Sequence, residues 1–87
     1  MQQYLVEFIG AAFFIYVILA TGNPLAIGAA LALVLLLTQH ISPGYVNPAV
    51  AITMAAAGNL PTAELIPYCV AQILGGLVAL EIYKRYH

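Results

Sequence analysis

Four polar side chains stand in otherwise apolar sequence: Glu7, His40, Asn47 and Gln72. Asn47 lies in the stretch Ile41-Ser42-Pro43-Gly44-Tyr45-Val46-Asn47-Pro48-Ala49-Val50, a mildly polar loop broken by Pro and Gly that opens into an apolar segment. An asparagine there can do two things at once. Its oxygen can accept from a free N–H of the first helical turn, and its NH2 group remains a free donor. Pro48 suits the first helical position, where its missing N–H costs nothing. Glu7 is an ionisable group inside a long apolar run and so a functional candidate. The one cysteine, Cys69, sits in an apolar run and reads as a small buried hydrophobe, so no disulfide or metal framework follows.

These side chains must be positioned by apolar elements. The 87 residues are 64% hydrophobic and 6% charged, with mean hydropathy +1.02. A soluble domain this small could not cover such a surface, and an integral membrane protein of one folding unit, residues 1–87, is expected. The net charge of −1 gives no reason to expect nucleic acid as a partner. Met1-Gln2-Gln3 lacks the positive start of a signal peptide and Glu7 interrupts its apolar core, so the first segment is expected to be a retained span.

Three crossings are expected, at about residues 4–20, 24–39 and 62–83, with termini on opposite sides of the membrane. The first turn, Thr21-Gly22-Asn23-Pro24, repeats the Asn-Pro cap and serves as a control, since the dipeptide alone only starts a helix. Gly28 and Ala32 in the second segment, and Ala71, Gly75 and Ala79 in the third, have the small-residue spacing that lets helices approach closely. Thr62 is expected to cap the third, Pro67 to bend it, and Tyr83 to His87 to anchor it at the interface. Between them, residues 41–57 hold the loop and a half-helix from Pro48 to about Ala57, ended by Gly58-Asn59-Leu60-Pro61. A helix of roughly 15 Å spans about half a bilayer core, as in a segment that enters and turns back. Such backbone is tolerated only inside protein or beside a water-filled cavity.

Gln39 to Val50 resembles the first Asn-Pro-Ala loop of the aquaporin and glycerol-facilitator family. Val6-Glu7-Phe8-Ile9-Gly10 resembles that family's first-helix Glu-x-x-Gly signature, and Ala71-Gln72-Ile73-Leu74-Gly75 its third-helix Ala-Gln-x-x-Gly signature. The resemblance covers essentially the whole chain but only one of the two inverted copies that family members contain. It implies an all-α fold of three transmembrane helices plus one re-entrant half-helix, completed by an inverted second copy. An antiparallel homodimer in lipid, with a tetramer of such dimers, would rebuild the channel. Lys84 and Arg85 at one end are opposed only by the terminal amine at the other, so the chain could insert both ways.

The resemblance also assigns roles. Asn47, with Pro48 and Ala49, would present its donor to a single file of water, and the backbone carbonyls of Gly44, Tyr45 and Val46 would form an acceptor ladder. Glu7 and Gln72 would brace the loop, as would His40, for which a gating proton switch is the second reading. Pro43 stands where the family commonly has Gly, and Tyr45 where it commonly has His. The family's constriction arginine would fall on Val50, with Gly44, Ile27 and Leu35 at the remaining constriction positions, giving an apolar mouth without a fixed cation.

The implied activity is passive conduction of water and small neutral solutes such as glycerol, with no enzyme chemistry and no cofactor. Two other classes stay open. A small dual-topology exporter would use Glu7 to couple proton flux, and a non-conducting half would need a separate second-half partner.

Overall fold

The computed structural model describes residues 1–87 and contains four helices. They are α1 (Gln2–Thr21), α2 (Pro24–Thr38), α3 (Pro48–Ala56) and α4 (Thr62–Tyr86). Both Asn-Pro pairs start helices. Asn23 and Asn47 are extended, each accepts from the first turn through its side chain, and a proline follows at the first helical position. Helix α1 ends on Gly22 in the left-handed region, with φ 55°, whose N–H donates to the Ile18 carbonyl.

Helices α1 and α4, of 20 and 25 residues, are long and apolar enough to cross a membrane. Helix α2 is as apolar but has 15 residues, about 22 Å against a hydrocarbon core of ~30 Å. Its last carbonyl is used by a turn instead, since Ile41 N and Ser42 N both donate to Thr38 O. Helix α4 differs from expectation at both ends. Its cap is Pro61, extended and without a side-chain bond, so Thr62 is already helical. The helix continues past Tyr83 to Tyr86 because Lys84, Arg85 and Tyr86 change polarity without interrupting the backbone ladder. Pro67 lies inside it.

Helix α1 is central, with α2 on one side and α4 on the other, and α3 packs on α4. The α1–α4 contact depends on Gly75. A methyl group there would lie 2.4 Å from the Phe8 carbonyl oxygen, so only glycine permits this approach. Buried Ala79 and half-buried Ala71 extend the same small stripe. The corresponding stripe on α2 has no partner within the chain, because Gly28 has nothing within 4 Å of its missing Cβ. Two small cores flank the loop: Tyr45, Ala51, Leu60 and Tyr68 on one side, and Ala11, Val34 and Val46 on the other.

Candidate functional site

The loop between α2 and α3 is held by a single carboxylate. Glu7, on the buried face of α1, is fully inaccessible to solvent. Its Oε1 accepts from Val46 N at 2.7 Å and from Gln72 Nε2 at 2.9 Å. Its Oε2 accepts from Tyr45 N at 3.1 Å and from the Ser42 hydroxyl. Ser42 Oγ in turn accepts from Gly44 N at 3.3 Å. Four donors from the loop and α4 thus converge on one acceptor of α1. Loop amides that could not pair with a neighbouring strand or helix are satisfied in this way, at a place where water cannot reach them. The only lysine and arginine, Lys84 and Arg85, lie exposed at the far end of α4 and make no contact with Glu7.

The fastening sets an unusual backbone. Gly44 has φ 73° and Val46 φ 48°. The left-handed region is cheap for glycine but costs a β-branched residue of order 1–2 kcal/mol. Val46 is held there by its N–H bond to Glu7, and its side chain packs against Val34 and Ala11. Gly10 makes room for that packing, since a Cβ on it would meet Val34 Cγ1 at 3.0 Å and Val46 Cγ1 at 3.2 Å. The next residue, Asn47, returns to extended backbone and caps α3 by accepting from Ala49 N at 2.7 Å. Its Nδ2 has no partner in the chain. Asn47 lies exposed on a cleft of about 270 Å³ that is also lined by Phe14, Val46, Pro48, Gln72 and Leu77.

Gln72, from α4, therefore meets Glu7, whereas His40 does not reach the loop network. It is exposed and makes no hydrogen bond. The Tyr45 ring turns away from the cleft into an edge-to-face aromatic cluster, with its centroid 5.5 Å from Tyr68, which is itself 5.1 Å from Tyr4. The Tyr45 side chain therefore does not line the Asn47 cleft. Val50 and Leu35 are exposed and Ile27 half-buried, all outside the cleft, and the Leu35 side chain closes over Gly44. Two participants were not singled out from sequence, Ser42 and Phe14. Ser42 is the only serine in the chain and stands in the loop itself, which was the available signal. Phe14 carried none, being one aromatic in a long apolar run.

The class defined by these features is a helical protein with membrane-length spans. Its short Asn-capped helix is entered through a loop locked onto a buried carboxylate. The model of the major intrinsic protein family matches residues 20–86, and the chain belongs to that family. It is similar to Aquaporin-8 of Mus musculus, at 35% identity over 95% of this chain and 36% of that protein. It is also similar to Glycerol uptake facilitator protein-like 6 of Lactiplantibacillus plantarum, at 35% identity over 99% of this chain and 44% of that protein. Aquaporin Z of Brucella melitensis is 43% identical over 70% of this chain and 27% of its own length. The chain thus spans less than half the length of these relatives. It is an integral membrane protein.

Proposed function

We propose that the chain forms a passive channel for water and small neutral solutes, as the names of its relatives suggest for them, by pairing with an inverted copy of itself. In this reading α1, α2 and α4 cross the bilayer, α2 with the help of the Thr38–Ser42 turn, and the loop with α3 re-enters to mid-depth. The observation that carries the reading is the free Asn47 Nδ2 on an open cleft, at the positive end of α3, behind a loop fixed by Glu7. One unit leaves that cleft facing lipid, where exposed polar groups are costly. A second unit related by a two-fold axis in the membrane plane would enclose it, an arrangement that inverted-repeat transporters also use. Two half-helix N-termini and two Asn47 donors at the midplane would then favour water and oppose cations.

The burial and full hydrogen bonding of Glu7 favour this reading over a proton-coupled exporter, because a coupling carboxylate needs access to water. The test is the purified chain in liposomes, with its C-terminus tagged and labelled from each side. Accelerated osmotic shrinkage from particles with tags on both faces is expected. Conduction with all tags on one face would overturn the inverted dimer, and no conduction would favour a half that needs another partner. Selectivity follows the proposed apolar mouth. Val50→Arg should lower glycerol flux and tighten proton exclusion, and unchanged selectivity in folded protein would remove Val50 from the constriction.

A further inference from the structure

We propose that Gly76 sets the width of the passage beside Asn47, and so decides whether a neutral solute larger than water can follow it. The inference rests on the channel proposed for this cleft and adds a residue to it. Glycine is the poorest helix former after proline, and inside a membrane span it is usually explained by the close approach of another helix. The two adjacent glycines of α4 differ in this respect. At Gly75 a methyl group would lie 2.4 Å from the Phe8 carbonyl oxygen and 3.1 Å from Ala12 N, so the packing of α1 requires glycine. At Gly76 the nearest atom would be Ile15 Cγ1 at 3.6 Å, an ordinary van der Waals distance. Nothing in the chain excludes alanine at position 76, so the chain's own packing does not explain the glycine.

What Gly76 does border is the Asn47 cleft, which it lines with Ile73 and Leu77 of the same helix. Residues three and four apart share a helix face, so Gly76 sits one turn beyond Ile73 on the wall of the cleft. The large side chains of Ile73 and Leu77, which precede and follow it, are exposed there. Between them Gly76 leaves a notch one side chain deep. Phe14 and Ile15 of α1 continue the same wall, and both are apolar. The notch therefore adds width without adding polarity. Water needs only a file one molecule wide, whereas a polyol carries a carbon chain that must fit against the apolar wall. Selectivity among neutral solutes follows from pore width and the few hydrogen-bonding groups that line it, and Gly76 controls the first of these beside the Asn47 donor.

The experiment compares the purified full chain with Gly76→Ala and Gly76→Ser in liposomes. Water and glycerol flux are measured, and melting temperature and particle mass are followed in detergent. Both variants should fold, and the alanine variant should melt a few degrees higher because alanine favours the helix. Glycerol flux should fall roughly tenfold, the scale on which one methyl group discriminates in an apolar site, while water flux stays nearly unchanged. An unchanged ratio of glycerol to water flux would overturn the proposal, as would a wild-type chain that passes water but no glycerol. Melting well below wild type, as expected for Gly75→Ala, would return Gly76 to the packing of α1 and also overturn it. Particles reduced to single chains would make Gly76 a contact with the second copy, with the same consequence. A wild-type chain that conducts nothing would overturn the channel and this role together, whereas conduction indifferent to residue 76 would overturn this role alone.

Discussion

The two Asn-Pro helix starts use the same dipeptide and the same local physics. At the first, Asn23 Oδ1 accepts from Leu25 N at 2.9 Å and Ala26 N at 3.0 Å. The flanking Gly22 has nothing within 4 Å of its missing Cβ. At the second, Asn47 caps one N–H, from Ala49, and the residues before it are bound to a carboxylate nearly forty positions earlier in the chain. Asn23 is the better cap and stands in the open turn. Asn47 is the poorer cap and stands in the built site. Capping therefore starts a helix without marking a site, and long-range support of the preceding loop is what separates the two.

The largest way to break the contrast is to remove the support. Glu7→Leu leaves four donors without an acceptor, at about 1–3 kcal/mol each, and should abolish folded protein, whereas Glu7→Gln should retain part of it. Full yield and native melting of the leucine variant in detergent would show that the loop holds itself. Next come the two left-handed glycines of the two connections. Gly22→Ala should cost about 1 kcal/mol, for backbone strain alone. Gly44→Ala should cost clearly more, because its methyl would lie 2.6 Å from Leu35 Cδ2 and 3.1 Å from Thr38 Oγ1. Equal melting temperatures for the two variants would mean the Asn47 loop is no tighter than the first turn.

The smallest stability effect sharpens the comparison most. Asn23→Ala and Asn47→Ala should each cost about 1 kcal/mol, with Asn23→Ala the more damaging since it releases two N–H groups. Osmotic flux should invert that order, falling only in Asn47→Ala. A parallel loss of flux in Asn23→Ala would remove the functional distinction between the two caps.

What could be read from the sequence was local, or stood out against an apolar background. The starts of α2 and α3 follow from side chains two or three residues from the groups they satisfy. Glu7 and Gln72 stood out as polar residues in apolar runs, but their meeting depends on how α1 and α4 cross. The positive φ of Val46 was illegible, because a β-branched residue is the last expected there and only Glu7 holds it. The edge-to-face cluster of Tyr4, Tyr45 and Tyr68 was hidden because its members come from three separate elements. The end of α2 at Thr38 was missed by one residue, because Gln39 is apt for a helix and the turn that competes for Thr38 O is formed by residues further on.

The bonds to Glu7 span 35 to 65 positions of sequence, which gives the site an order in time. During synthesis α1 reaches the bilayer with its carboxyl group bare, and the first relief comes when Ser42, Tyr45 and Val46 emerge. The last donor arrives with Gln72, deep in α4. Until then the network lacks the one donor that ties Glu7 to α4. The network is complete only after α4 has packed on α1, and that packing depends on Gly75. A substitution at Gly75 would therefore be felt first as a chain stalled in assembly, with its loop unfastened and open to quality-control proteases.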